Sequence, residues 1–201
     1  MSNTKVLVVG GSRGIGAVTA KILSIYNCQV TITYNKGKEE ANAVKKDVKK
    51  YGKTIKLLKL DVTEKKTFQN ISNIYNQVYY FPTPKILKNT SNNFDIQSYK
   101  LFHSFYVKGF EDVIKKCLSE KLLYLMYPST AFITTKEKGF MEYIKAKQEG
   151  ELICKKYEGL MDLKIHRPRI PPLLTDQTLS LIPKNYPDIV EIVNSMIIKK
   201  Y

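Results

Sequence analysis

The sequence predicts an α/β fold: a doubly wound parallel β-sheet with helices on both faces. Two observations carry this prediction. Short apolar segments alternate with longer amphipathic segments along the 201-residue chain, and each pair of predicted strands is separated by one predicted helix. A strand–helix–strand order with one crossover helix produces parallel neighbours. A glycine-rich turn directly after the first apolar segment is the third sign of this fold class.

Six strands and a set of intervening helices follow from the spacing of apolar residues. We predict strands at 6–9, 29–34, 54–60, 77–81, 122–127 and 163–166. We predict helices from Ala17 onward, at 37–51, around Phe68, Ile71 and Ile74, and at 96–118, 139–157 and 188–199. Residues 88–94 are polar and predict a loop. Pro168, Pro171 and Pro172 predict that no regular structure follows the sixth strand.

The length and the even composition predict one domain over residues 1–201. Its core would span 5–176, with 177–201 forming a short C-terminal tail and helix. The fold would thus be truncated at its C-terminus. No internal repeat or linker divides the chain.

The net charge of +15 is spread along the chain, and all but three of the 33 basic residues are Lys. Scattered Lys residues are typical of a solvated surface, whereas nucleic-acid binding favours an Arg-rich patch with aromatics. Nucleic-acid binding is therefore disfavoured, although the positive electrostatic field of the protein would attract phosphate groups or an acidic partner. No apolar run reaches membrane length and no signal peptide is visible, so we expect no membrane contact. Three scattered Cys and two His have no metal-ligand spacing, which favours reduced thiols, no metal and a cytoplasmic location.

The glycine-rich turn predicts a phosphate site. Gly10, Gly11, Gly14 and Gly16 lie between the first strand and the first helix. Such a turn directs backbone N–H groups and the positive end of a helix at one point, and the missing side chains let a pyrophosphate approach. The alternative is a tight turn without a ligand. If a dinucleotide binds, the expected contacts are Gly10, Ser12, Arg13, Gly14, Ile15 and Gly16, then Asn35, Lys36, Asp61 and Val62 after the second and third strands.

A Tyr and a Lys four residues apart, Tyr143 and Lys147, follow the fifth strand on one predicted helix. The composition gives roughly two such pairs by chance, and Tyr34 with Lys38 is the second. Position distinguishes the first pair, because Ser129 and Thr130 precede Tyr143 at the end of the fifth strand. An ammonium near a phenol lowers the phenol pKa toward neutral pH and suits it to proton transfer. In the alternative interpretation Tyr143 is a packed aromatic residue and Lys147 a solvated charge.

These motifs together resemble the short-chain dehydrogenase/reductase family. The segment GGSRGIG resembles the family's TGxxxGxG turn, and Asp61-Val62 matches its adenine-contacting pair. A Ser followed by Tyr-xxx-Lys after the fifth strand is the family's active site. The resemblance implies that Tyr143 exchanges a proton, that Lys147 also bonds the nicotinamide ribose, and that Ser129 or Thr130 holds the substrate carbonyl. It also implies a dimer interface formed by helices 96–118 and 139–157.

Three positions depart from the family pattern. The Asn-Asn-Ala-Gly after the fourth strand is replaced by residues 79–82, Tyr-Tyr-Phe-Pro. The helix Asn of the family's catalytic tetrad corresponds to Tyr106, so a relay water would lack its anchor. The Pro-Gly after the sixth strand is Pro168-Arg169, and few residues follow for a substrate lid and a seventh strand.

The sequence therefore predicts an NADPH-dependent oxidoreductase that reduces a carbonyl, with a β-ketoacyl thioester as one candidate substrate. NADP is favoured over NAD because Asn35 and Lys36 provide no carboxylate for a ribose hydroxyl, while Arg13 would meet a 2′-phosphate. Expected partners are a small-molecule or carrier-bound acyl substrate and a second copy or another biosynthetic domain. Two alternatives stay open: a catalytically impaired binding or scaffold subunit, and a nucleotide-sugar epimerase or dehydratase. The latter is disfavoured because a C-terminal substrate domain is missing.

Overall fold

The computed structural model describes residues 4–91, 93–172 and 188–198. Its strands are β1 Lys5–Val9, β2 Gln29–Tyr34, β3 Ile55–Lys59, β4 Gln77–Tyr80, β5 Tyr124–Met126, β6 Ser129–Thr130, β7 Lys164–His166 and β8 Arg169–Ile170. Six of them form a parallel sheet in the order β3-β2-β1-β4-β5-β7, while β6 and β8 form a separate parallel pair. The predicted doubly wound parallel sheet is confirmed, and among the described residues this sheet has six strands.

Seven α-helices lie in the described parts of the chain. They are α1 Gly14–Ile25, α2 Lys38–Lys49, α3 Ile96–His103, α4 Phe110–Cys117, α5 Phe132–Thr135, α6 Met141–Tyr157 and α7 Ile189–Ile198. Two 3₁₀ helices span Lys65–Asn70 and Leu160–Asp162. A π-helical segment, Ser104–Gly109, joins α3 to α4, so the predicted long helix is present with an irregular centre.

Both faces of the sheet are buried, because alternate strand residues point to opposite sides. On β1, Val6 and Val8 pack against α1, α2 and α7, whereas Leu7 and Val9 pack against α3, α4 and α6. All four side chains are fully buried. This arrangement explains the unbroken apolar run that begins the chain.

Two predictions of secondary structure are wrong. A helix was expected around Phe68, Ile71 and Ile74, but only a 3₁₀ helix forms there and Ile74 is exposed. The Thr67 hydroxyl bonds the Asp61 and Glu64 carbonyls, which fixes a tight turn in place of a longer helix. The second error concerns the prolines after the sixth strand.

Strand β8 forms between Pro168 and Pro171 because its side of the pairing mainly accepts hydrogen bonds through backbone carbonyls. Ser129 and Ala131 donate their backbone N–H groups to the carbonyls of Pro168 and Ile170, at 2.9 and 3.0 Å. A proline lacks an N–H group but keeps its carbonyl, so it can border such a pairing.

The predicted tail lies largely outside the described residues, which omit 173–187 and 199–201. The proposed core limit at Asp176 and the start of the tail fall in that gap. Helix α7 covers most of the predicted last helix and packs against α1. In the described part of the chain, no helix has both the length and the apolar character needed to cross a membrane.

Helix α6 approaches the π-helical segment closely because it carries a glycine at the contact. A Cβ atom at Gly150 would lie 1.9 Å from the Tyr127 hydroxyl oxygen and 2.9 Å from the Tyr106 carbonyl oxygen. These separations are far below van der Waals contact, so no larger residue fits without displacing α6.

We predict that Gly150→Ala lowers the free energy of unfolding by roughly 1–3 kcal/mol, although alanine is the better helix former. Urea unfolding measures the change. The same substitution in a Tyr127→Phe background should cost less, because the nearest clashing atom is then absent. An equal cost in both backgrounds would contradict this packing model.

Candidate active site

A cleft of about 330 Å³ opens at the carboxyl ends of the parallel strands. Every candidate site residue from the sequence lines it: Gly10, Ser12, Arg13, Gly14, Ile15, Gly16, Asn35, Lys36, Asp61, Val62, Ser129, Thr130, Tyr143 and Lys147. Residues that the sequence did not single out as site residues also line it, among them Thr83, Phe105, Pro128 and Phe132. The glycine turn and the Tyr-Lys pair therefore belong to one cavity.

The glycine turn has the geometry of a phosphate cradle. Gly10 and Gly14 have φ angles of +74° and +54°, which side chains disfavour. A Cβ at Gly16 would lie 2.3 Å from the Gly10 carbonyl oxygen, so the turn closes tightly onto α1. No side chain caps the first turn of α1 among the described residues. Its backbone N–H groups can therefore receive an anion, and the site fits a dinucleotide pyrophosphate.

The part of the cleft next to the ends of β2 and β3 carries both positive and negative side chains. Arg13 and Lys36 line it together with Asp61, whose carboxylate accepts a 2.6 Å hydrogen bond from the Asn35 amide. Burial acts to raise the pKa of Asp61, but hydrogen bonds from Thr63 and Asn35 outweigh it and hold the pKa below its usual value. This carboxylate fixes Asn35 and remains charged at neutral pH.

Three consecutive residues, 128–130, each lie against a different turn of α6. The Pro128 carbonyl accepts a 2.6 Å hydrogen bond from Lys147 Nζ. The Ser129 hydroxyl donates to Glu151 at 2.6 Å. Thr130 lies close enough to the Tyr143 phenol to act against the rise of its pKa. Positions 143, 147 and 151 are four apart and so share one helical face, which lies along this segment.

The structure separates the two hydroxyl residues between which the sequence could not choose. Neighbouring residues of an extended strand point to opposite sides. Thr130 therefore meets the Tyr143 phenol, while the Ser129 hydroxyl is bonded to a carboxylate. Thr130 is the hydroxyl residue whose position suits contact with a substrate carbonyl.

Glu151 connects this segment to strand β8. Its two carboxylate oxygens accept hydrogen bonds from Arg169 Nε and Nη2, both at 3.0 Å. The Arg169 guanidinium holds the pKa of Glu151 below its usual value, with a smaller contribution from Ser129. Arg169 Nη1 also donates to the Thr134 hydroxyl at 3.1 Å. Arg169, which stands where the family pattern has Gly, thus forms an ion pair with Glu151 that stabilises this segment.

The environment of Tyr143 differs from the sequence-based expectation. Burial raises its pKa to about 12, and only the nearby Thr130 side chain acts to lower it. Its ring is enclosed by Phe102, Tyr106 and Phe132, with centroid distances of 5.6, 5.6 and 6.2 Å. The expected lowering of this pKa by Lys147 is therefore wrong for the protein alone, because desolvation dominates.

Lys147 is buried, with 5% of its surface exposed. Burial lowers its pKa to about 7, against minor opposing effects of Cys154 and Glu151. Its Nζ lies 4.0 Å from the Tyr106 ring centroid and 4.9 Å from that of Tyr127. The interpretation of Lys147 as a solvated charge is thus wrong: it is a buried amine that titrates near neutral pH.

Tyr106, the second departure from the family pattern, lies at the centre of the cleft wall. Its hydroxyl group is hydrogen-bonded to the Thr83 hydroxyl group, and its carbonyl accepts from the Tyr127 phenol at 3.2 Å. Sequence reasoning found Tyr106 only as a missing Asn and missed Glu151 altogether. The four-residue spacing of Tyr143, Lys147 and Glu151 was a readable signal for the latter.

The fold and this cleft define a dinucleotide-binding α/β protein with hydroxyl and amine groups at a candidate reaction centre. The family model for short chain dehydrogenases matches residues 4–116, more than half of the chain. The chain therefore belongs to the short-chain dehydrogenase/reductase family, whose members are NAD(P)-dependent oxidoreductases. The match ends before Tyr143 and Lys147. No curated protein is matched by the sequence.

Solved structures share the fold at low sequence identity. An alcohol dehydrogenase from Thermococcus sibiricus, complexed with 5-hydroxy-NADP, is 13% identical with a TM-score of 0.83, covering 99% of this chain and 91% of its own. The angucycline C-6 ketoreductase LanV with bound NADP is 14% identical with a TM-score of 0.85, covering 96% and 87%. A 3-oxoacyl (acyl-carrier-protein) reductase from Agrobacterium tumefaciens with NADP bound is 17% identical with a TM-score of 0.75, covering 87% and 72%.

The buried amine predicts a stability gain when it is removed. Because the Lys147 pKa is lower in the folded than in the unfolded state, the charge destabilises the fold fully below pH 7 and progressively less up to about pH 10.5. We predict that Lys147→Met raises Tm by roughly 5–15 °C near pH 6, with a gain that shrinks as pH rises. Thermal unfolding of both proteins from pH 5.5 to 9.5 measures it. A gain that is constant with pH would show that packing, not charge, is responsible.

Proposed function

We propose that this protein is an NADPH-dependent reductase of a carbonyl compound, with Tyr143 as the proton donor. The main observation behind this proposal is that Thr130, Tyr143 and Lys147 lie in one cleft with the glycine turn. This proximity supports a hydride-transfer reaction, which requires the proton donor and the bound cofactor in one site. When bound, the nicotinamide supplies the hydride.

The proton would come from Tyr143. A substrate carbonyl oxygen held between the Thr130 hydroxyl and the Tyr143 phenol accepts a hydrogen bond from each, which stabilises negative charge that develops on that oxygen. A phenol with a pKa of about 12 is fully protonated at neutral pH. This supports the reductive direction, in which the phenol donates its proton.

Lys147 would act on that phenol from the next turn of α6. Its Nζ lies 5.9 Å from the centroid of the Tyr143 ring, close enough for the protonated amine to stabilise the phenolate left after proton transfer. The amine also lines the cleft, where it can bond a cofactor ribose. We assign it both roles.

We propose NADPH rather than NADH as the cofactor. Arg13 and Lys36 are the cations of the described cleft lining next to the ends of β2 and β3, and the carboxylate there, Asp61, is bonded to Asn35 and Thr63. A 2′-phosphate near these cations would gain charge-assisted hydrogen bonds. Three relatives of the same fold are described with NADP or an NADP derivative, which agrees with this preference.

The lining of the cleft includes apolar and aromatic side chains: Ile86, Phe105, Tyr106, Phe132 and Ile170. This lining suits an uncharged ketone or the acyl part of a β-ketoacyl thioester, free or bound to a carrier. A cytoplasmic location fits the three cysteines, which are all buried thiols. A non-catalytic binding subunit is the second candidate, favoured by the substitution of Tyr106 and by the high Tyr143 pKa.

A homodimer through α3, α4 and α6 is part of the proposal. Leu101 on α3 and Leu152 on α6 are 46% and 59% exposed, which is unusual for large apolar residues on neighbouring helices. Docking of another biosynthetic domain would cover the same surface.

The proton-donor role predicts a large rate loss for one missing hydroxyl. Tyr143→Phe should slow NADPH oxidation by roughly 10²–10⁴-fold with ketones or β-ketoacyl thioesters, while NADPH affinity stays within a factor of two. The matched control is Tyr157→Phe on the same helix, which removes a hydroxyl bonded to Glu111 far along α6. It should leave the rate unchanged.

Two results would overturn the proposal. If Tyr143→Phe turns over as fast as the parent, another group donates the proton. If the parent binds NADPH but reduces no member of the substrate panel, the binding-subunit alternative is the better account.

The cofactor preference rests on Arg13. Arg13→Ala should weaken NADPH binding by roughly ten- to a hundredfold and leave NADH binding nearly unchanged, because only NADPH carries the 2′-phosphate. Calorimetric or fluorescence titration measures both affinities. Lys45→Ala on the exposed face of α2 changes the net charge equally without lining the cleft. Equal NADPH and NADH affinities in the parent protein would exclude the preference.

A further inference from the structure

The ammonium of Lys147 lies among aromatic rings. Its Nζ is 4.0 Å from the centroid of Tyr106, 4.9 Å from that of Tyr127 and 5.9 Å from that of Tyr143. Lys147 Nζ also donates a hydrogen bond to the Pro128 backbone carbonyl at 2.6 Å. A cation at such distances from a ring face is attracted by the ring quadrupole, most strongly where water is excluded.

The titratable groups around Lys147 provide no counter-ion in contact with it. On α6 these are Tyr143, Glu151 and Cys154, and across from α6 they are Tyr106 and Tyr127. The Glu151 carboxylate is bonded to Ser129 and to Arg169 at both oxygens. Among the residues that the structure describes, no carboxylate lies within ion-pair distance of Lys147.

We propose that the rings of Tyr106 and Tyr127 form a cage that binds the Lys147 ammonium and takes the place of a counter-ion, with Tyr106 as the principal positioning residue. The ring faces stabilise the charged form of the amine. They therefore set both where the charge lies relative to Tyr143 and the pH at which it is lost.

The cage is held rigidly. Tyr106 and Tyr127 are 1% and 0% exposed. The Tyr127 phenol donates to the Tyr106 carbonyl at 3.2 Å, and the Tyr106 hydroxyl group is bonded to that of Thr83. The Tyr106 ring also stacks on Phe102, with centroids 6.0 Å apart. Each ring is thus fixed before the amine is charged, so the cage costs little ordering entropy.

The consequence for the reaction rests on the proposed function, whereas the cage itself does not. A Lys147 amine that loses its proton can no longer stabilise a Tyr143 phenolate. Weaker ring faces would therefore move the loss of activity with rising pH to lower pH.

The test is a graded change of the Tyr106 ring without a change of shape. Tyr106→Phe keeps the ring, and fluorinated phenylalanines placed at the same position withdraw electron density from its face. The Lys147 titration is followed by NMR of protein labelled at lysine Cε, with Lys147→Met assigning the signal. We expect Tyr106→Phe to titrate near the parent value, and successive fluorination to lower the midpoint by about 0.5–1 pH unit in total.

Fluorinated phenylalanine at Phe110 is the matched control. That ring is fully buried and packs on Tyr80 and Tyr127, whereas Lys147 lies over the rings of Tyr106, Tyr127 and Tyr143. Its fluorination should leave the midpoint unchanged. The same series at Tyr127 should give a smaller shift than at Tyr106, and it replaces the Tyr106 series should those variants fail to fold.

A midpoint that does not change with fluorination at either position would overturn the cage. The titration requires neither cofactor nor substrate, so it is independent of the proposed activity. A graded midpoint in a protein that reduces nothing would support the cage and reject the reductase. Reduction of ketones by a protein whose Lys147 midpoint does not change would support the reductase and reject the cage. In an active protein, the pH at which activity is lost should move with the midpoint.

Discussion

The close contact between α6 and residues 128–130 is the constraint on which the site depends. It brings a phenol, an amine and a carboxylate from three successive helical turns against three successive residues of one extended segment. The contact is possible only because Gly150 presents no side chain to Tyr127 and to the π-helical segment. A fold-level feature, the approach of a helix to the edge of a sheet, thus sets the distances between the polar groups of the cleft.

The sequence predicted the fold well because burial on both faces leaves a strong apolar signal. Strand β2 has the predicted bounds, and the other strands of the main sheet differ by a few residues at their ends. The errors fall where local hydrogen bonds outweigh apolar spacing. Thr67 fixes a 3₁₀ turn in place of a helix. The Pro168 carbonyl accepts a hydrogen bond at the border of β8, a strand that the neighbouring prolines were predicted to exclude.

The sequence predicted which residues would meet at the cleft but not their electrostatic environment. Strand ends of a parallel sheet meet at one edge, so the positions of the glycine turn, Asp61, Ser129 and Thr130 followed from topology. The protonation properties did not follow. They depend on how completely Tyr143 and Lys147 are removed from water, and that depends on aromatic residues distant in sequence, which no local spacing identifies.

The π-helical segment Ser104–Gly109 has a consequence for comparing this chain with others. A π turn accommodates one residue more than an α-helical turn, so it acts as a one-residue insertion in an otherwise regular helix. Within this segment Tyr106 lines the cleft, and the following Phe110, Val113 and Ile114 are buried in the core on the same face of the sheet. A relative without that extra residue would present a different side chain at the cleft. An alignment of such chains therefore needs a gap inside this helix.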